Sequence, residues 1–184
     1  MDPDRHYRWL DEARDAMADG DDVEARRLLG RLRREAPDMP ELLFAEGELA
    51  ALDGDLETAI ARFTAARERA PDWAAPVVDL ADVRLRHADD PEGALELAEE
   101  ALARWPDDES TPFARFVRAA ALVLLERDVE ARVALAEVDT DDPDTMCEMG
   151  SFYMELAEPE LAAGWFGRAV SAAPSFSDAW HHLG

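Results

Sequence analysis

Any catalysis or metal binding by this 184-residue chain would have to come from four histidines, one cysteine and 43 Asp and Glu residues. His181 and His182 are adjacent, so on a helix they point about 100° apart and cannot share one metal well. His6 and His87 stand alone and read as solvated residues, His87 in a turn beside Ala88, Asp89 and Asp90. Cys147 lies in MCEMG with no histidine near it in sequence, which suits a packing or surface-lining thiol better than a nucleophile. Acid pairs recur at Asp21-Asp22, Asp107-Asp108 and Asp141-Asp142. Acid–base catalysis needs two carboxylates in one desolvated pocket. These pairs sit where turns end and helices begin, and there they cap N–H groups and complement the helix dipole. No glycine-rich phosphate loop and no metal-ligand spacing is present. The residues imply no enzyme, no cofactor and no metal.

The formal net charge is −24, from 43 acids against 19 basic residues, all of them Arg. Lys, Asn and Gln are missing altogether. Such a surface repels nucleic acid and anionic lipid and attracts basic peptides. The acid excess also suits a high-salt habitat, where charge repulsion is screened. A single cysteine cannot form an internal disulfide, and MDPDRHYRWLDEARD lacks the basic and apolar segments of a signal peptide. Both points lead to the expectation of a cytoplasmic protein. No apolar run reaches the roughly 18 residues of a membrane helix.

The elements that hold these side chains repeat. In LFAEGELAALDGDLETAIARFTAARERAP, residues 43–71, apolar and small residues recur at helical spacing on both sides of Gly54-Asp55. That predicts two amphipathic helices joined by a turn. Ala59, Phe63, Ala66 and Pro71 have counterparts at the same spacing in Ala25, Leu29, Leu32 and Pro37; in Ala94, Ala98, Ala101 and Pro106; in Ala131, Leu135, Val138 and Pro143; and in Ala162, Phe166, Ala169 and Pro174. Successive alanines are 34, 35, 37 and 31 residues apart. We read this as about three extra residues before the fourth unit and three fewer after it. Antiparallel helices need small residues where they approach, so Gly47 is expected against Ala59 and Gly150 against Ala162. Phe63 and Phe166 would then fill the gap to the next unit. The proline of each unit would end its second helix. Asp90, Thr111 and Asp142, each before a proline, are predicted helix caps.

This pattern resembles the tetratricopeptide repeat (TPR) family over nearly the whole chain. Gly47, Ala59, Phe63, Ala66 and Pro71 match its pattern in the second unit. Met146, Met149, Gly150, Tyr153, Ala162, Phe166, Ala169 and Pro174 fill all eight signature positions of the fifth, with Met at the usual Trp and Leu places. The resemblance implies an all-α, right-handed α-solenoid of TPR helix-turn-helix units. They would form a single TPR domain over 1–184, with units at 6–39, 40–73, 74–108, 109–142 and 143–176. Trp180, Leu183 and Gly184 match the start of a sixth unit, truncated at 177–184, which suggests a fragment of a longer repeat protein or a stub held by the fifth unit or a partner subunit.

The resemblance also implies a function, that of a non-enzymatic scaffold whose first helices line a concave groove for a partner peptide or helix; the alternatives are an assembly or regulatory arm of a larger TPR protein and, less favoured, a helical metal-binding or enzymatic protein. The family's groove positions fall on Phe44, Glu48, Val78, Asp79, Asp82, Arg86, Phe113, Phe116, Val117, Glu148, Ser151 and Glu155. Asp11, Arg14, Val123, Leu124 and Cys147 fall there too. The groove is acidic with an apolar middle, suited to a basic or apolar partner protein. Chaperone-binding members grip a terminal carboxylate with Lys and Asn, and this chain has neither. FARFVRAAALVLLE in the fourth unit is apolar nearly all round. Either its neighbours cover it, or it is a sticky patch for a partner or for self-association. The fourth unit and the truncated helix are therefore the two routes to a homodimer.

Overall fold

A helix that ends in a tight turn favours one residue in the left-handed region, and the described residues supply it five times. Those residues are Gly20 (φ 74°), Gly54 (φ 74°), Asp89 (φ 50°), Glu126 (φ 54°) and Ala157 (φ 57°). Each stands five residues before one of the repeated alanines, so the intervals of 34, 35, 37 and 31 residues recur in the backbone itself. The residue after the turn closes it: Asp21, Asp55, Arg127 and Glu158 donate N–H to the carbonyls of Ala16, Ala50, Leu122 and Tyr153 at 2.8, 2.8, 3.0 and 2.8 Å. These bonds satisfy carbonyls that a helix end leaves open. Asp21 and Asp55 then cap the next helix, accepting from Glu24 N at 3.0 Å and Thr58 N at 3.2 Å.

The computed structural model describes residues 3–87 and 89–174. They form ten helices: α1 Pro3–Ala18, α2 Asp22–Glu35, α3 Pro40–Leu52, α4 Leu56–Arg69, α5 Ala75–His87, α6 Pro91–Arg104, α7 Thr111–Leu124, α8 Asp128–Ala136, α9 Pro143–Glu155 and α10 Pro159–Ala172. No strand occurs among the described residues. The expected sixth unit at 177–184, with His181 and His182, lies outside them.

The helices gather into two compact units, Met1–Asp90 and Pro91–Gly184, so the division falls between α5 and α6. In the first unit α1 packs on α2, α3 on α4, and α4 on α5. Its core joins Trp9, Leu10 and Ala13 of α1 to Leu28, Leu29 and Leu32 of α2 and to Leu42, Ala45 and Leu49 of α3. In the second unit α7 packs on both α6 and α8, and α9 on α10. Nine of the 14 residues of α7 are buried, so the apolar run of the fourth unit is covered by its neighbours.

The five repeated alanines, Ala25, Ala59, Ala94, Ala131 and Ala162, are all 0% exposed. The two signature glycines each face an aromatic ring. A Cβ on Gly47 would lie 2.6 Å from the Phe63 ring, and one on Gly150 would lie 2.5 Å from the Phe166 ring. The glycines therefore make room for the aromatic ring of their own unit's second helix.

Two expectations at the fourth unit are corrected. Pro143 does not end a helix; it opens α9, while α8 stops at Ala136 after nine residues where its counterparts run to 14. Thr140 and the aspartates after Val138 are poor helix formers, and the position before a proline disfavours helix. Val138 nonetheless stays buried at 6% exposure. Asp142 caps α9 as expected, accepting from Thr145 N at 2.7 Å. Thr111 does not cap α7, because its hydroxyl donates to Trp105 O at 2.9 Å.

Ala157 is exposed and holds a left-handed conformation that costs an L-residue about 1 kcal/mol or more. Ala157→Gly is expected to stabilise the chain by about 0.5–1 kcal/mol, and Gly54→Ala to destabilise it by a similar amount. Thermal melts followed by circular dichroism at 222 nm would check both; a lower melting temperature for Ala157→Gly contradicts the turn assignment.

Candidate partner-binding site

In the first unit α1 packs on α3, and the charge of Glu48 on α3 reaches Asp79 on α5. On α3, Phe44 and Glu48 are one turn apart; on α5, Val78, Asp79, Asp82 and Arg86 share a face. Phe44 is the floor. Its ring is 4.8 Å from Trp73 and 5.5 Å from Phe63, and the guanidinium of Arg14 from α1 lies 5.9 Å from its centre. Above it Arg14 Nε is 3.8 Å from Glu48 Oε2, an oxygen that is buried and accepts no hydrogen bond. Burial pushes the Glu48 carboxyl up, and Arg14 opposes the shift.

Asp79 is the most perturbed group described. Burial first, then the charges of Glu48 and Asp82, push its carboxyl from 3.8 to about 7. Asp82 has a cation of its own, Arg86 Nε at 2.6 Å. Among the described residues no arginine forms an ion pair with Asp79. A carboxyl held among acids in a recess is half ionised near neutral pH and lacks a counter-charge.

In the second unit Phe113 stacks on Phe116 at 6.0 Å and 10°, and Phe116 is 6.1 Å from Phe152 of α9. Ser151 Oγ donates to Cys147 O at 3.1 Å. Glu148 is half-buried and Glu155 exposed. Four of the twelve predicted groove residues, Phe44, Val78, Phe116 and Val117, are buried in their units. The other eight, Glu48, Asp79, Asp82, Arg86, Phe113, Glu148, Ser151 and Glu155, are half-buried or exposed.

No protein-family model matches the sequence, and no curated protein matches it either. Solved structures do. TTC0263, a thermophilic TPR protein of Thermus thermophilus, shares 19% identity with a TM-score of 0.79, over 97% of this chain and 96% of that one. MamA from Desulfovibrio magneticus RS-1 shares 20% identity with a TM-score of 0.69, over 94% of this chain and 97% of that one. YrrB, described as a TPR protein with an unusual peptide-binding site, shares 18% identity with a TM-score of 0.61, over 94% of this chain and 89% of that one. The chain has the TPR fold.

The TPR scaffold accounts for most of the chemistry-bearing residues. Asp21 and Asp142 cap helices, and Asp108 Oδ1 accepts from Ser110 N at 2.9 Å. Cys147 packs half-buried against Met146 and Ala169. His87 is exposed at the end of α5. His6 is a correction: it is not solvated but 5% exposed, with Nε2 3.1 Å from Glu35 Oε2 and its ring 6.1 Å from Trp9. Its place in the first turn of α1, on the apolar side with Trp9, Leu10 and Ala13, was the signal for burial. Among the described residues no group of three or more His, Cys, Asp or Glu comes together to hold a metal ion. No described helix is long and apolar enough to cross a membrane.

Proposed function

We propose that this TPR chain is a non-enzymatic scaffold that binds a basic, partly apolar peptide or helix of another protein. In the first unit the contact surface is the one formed by Arg14, Glu48, Asp79 and Asp82 above Phe44. The observation that carries this reading is Asp79, recessed among carboxylates without an arginine of its own. A partner cation placed there would relieve repulsion from Glu48 and Asp82 and favour the ionised form. The overall charge of −24 would draw such a partner in. The peptide-binding site of YrrB, on the same fold, supports the assignment by analogy. A cytoplasmic setting, with its reducing conditions, fits the single Cys147.

The test is charge reversal at the rim. Glu48→Arg with Asp82→Arg is expected to weaken binding of a basic amphipathic peptide about tenfold or more, with slower association and unchanged helicity. Association kinetics at low and moderate salt would measure it. Equal affinity for the double variant removes this surface as the binding site.

A further inference from the structure

The second unit contains a pocket of about 370 Å³ between the start of α7, the connector 137–142 and the start of α9. Its origin lies in the sequence. Helix α8 has nine residues where α2, α4, α6 and α10 have 14, and the connector takes the place of the missing turn. The lining comes from Glu109, Phe113 and Phe116 on one side and from Val138, Asp139 and Thr140 on the other.

The floor is aromatic and fixed. Phe116 is 1% exposed, and Phe113, half-buried, lies parallel to it at 6.0 Å. The rim is acidic: Glu109, Asp139 and Asp142. The connector is held by Arg168, whose Nη2 donates to Thr140 O at 2.9 Å and lies 3.8 Å from Asp139 Oδ1. The same guanidinium sits 4.1 Å from the Trp165 ring. The fold thus already places one arginine between an aromatic face and this connector. Two helix N-termini border the pocket, but neither is set up for an anion. Asp142 already accepts the Thr145 N–H at the start of α9, and Pro112 in the first turn of α7 has no N–H to offer.

We propose that this pocket receives an arginine side chain of the partner, its guanidinium stacked on Phe113 and facing Glu109 and Asp139. Arginine suits the pocket better than lysine because a planar guanidinium can lie on a ring while its edge donates to carboxylates. The inference rests on the reading of the chain as a binder of basic partners and assigns that preference to a second, separate place.

The experiment is an NMR titration with a short amidated peptide carrying one arginine between leucines, and with its lysine, glutamine and glutamate counterparts. The arginine peptide is expected to bind best and to shift the Phe113 ring signals. Phe113→Ala is expected to weaken it about 3- to 30-fold. Glu109→Gln with Asp139→Asn removes two exposed rim charges, the second also 3.8 Å from Arg168 Nη2, and is expected to weaken it with helicity retained. Glu48→Arg with Asp82→Arg should leave the shift of the Phe113 ring signals unaffected. Binding that is indifferent to both pocket variants, or that favours the glutamate peptide, overturns the pocket. Should the long basic peptide still lose affinity to the Glu48/Asp82 variant, the wider reading stands and only the pocket falls. Loss of the long peptide's dependence on that variant, with the pocket effects intact, gives the converse.

Discussion

Asp79→Asn is expected to raise the melting temperature at pH 8 and to leave it nearly unchanged at pH 4. The native carboxyl sits near 7, and an unfolded aspartate near 3.9. Between those values the folded chain holds a proton that the unfolded chain has lost, so stability falls as pH rises through the window. Below it the contribution is fully present; above pH 7 the loss is complete. A shift of about three units corresponds to at most about 4 kcal/mol, and relaxation and water entry reduce it. Asparagine keeps the shape and removes the charge. A rise of about 5–10 °C at pH 8 is the expected scale for a chain of this length. The effect should shrink steadily toward pH 4. A difference between variant and wild type that does not change with pH would remove the raised Asp79 carboxyl, set by burial first and then by Glu48 and Asp82, as its cause.

The same group predicts a pH dependence of binding with the opposite sense. A cationic peptide favours ionised Asp79, so the wild type should bind it more tightly at pH 8 than at pH 6. Asp79→Asn should flatten that slope. Stability falling and affinity rising over one pH interval, both abolished by one substitution, is a signature that a buried but unused carboxyl would not give.

The periodic alanines and the Gly-Asp turns made the hairpins legible from sequence, because both report backbone requirements. Small residues mark close approach, and Gly20 and Gly54 mark left-handed turns. Asp89, Glu126 and Ala157 do the same job with side chains that carry no such mark, so the turns at Glu126 and Ala157 were visible only through the alanines that follow them, and the one at Asp89 also through the Asp90-Pro91 cap. The short α8 was hidden for a similar reason. Val138 and Pro143 keep the spacing of Ala66 and Pro71, yet the aspartates between them end the helix early, and the apolar position is met from a connector.

The proposed binding surface was legible in its types and not in its depths. Groove positions counted from a pattern gave Phe44, Val78, Phe116 and Val117 the same standing as Glu48 and Asp82. The pattern fixes which face of a helix a residue occupies, and neighbouring side chains decide whether it is reachable. Trp73, in the turn before α5, covers Phe44; Phe152 of α9 lies against Phe116. Neither is a groove position, so the count had no means of including them. His6 was misread because a lone polar residue near the start of a helix looks solvated until Glu35, 29 residues on, is brought to it.

The largest loss of stability is expected at Gly150. Even alanine there would put Cβ 2.5, 2.7 and 2.8 Å from three carbons of the Phe166 ring. Phe166 is 1% exposed, so the ring has nowhere to swing. Overpacking of this kind costs about 1–3 kcal/mol or more, and Gly150→Leu, with three further carbons, should unfold α9 and α10. The diagnostic variant is Gly150→Ala combined with Phe166→Leu. Phe166→Leu alone opens a cavity; together the two changes compensate, and a coupling of about 1–3 kcal/mol is expected in a double-mutant cycle of thermal or urea melts. Gly164→Ala and Gly167→Ala, on the same helix as Phe166, meet nothing within 4 Å and should stabilise by about 0.5–1 kcal/mol. Gly47→Ala should repeat the penalty in the first unit, where Phe63 stands 2.6 Å from the added carbon. If Gly150→Ala melts with the wild type, the glycine is not the partner of Phe166, and the register that places both signature residues in one hairpin is wrong.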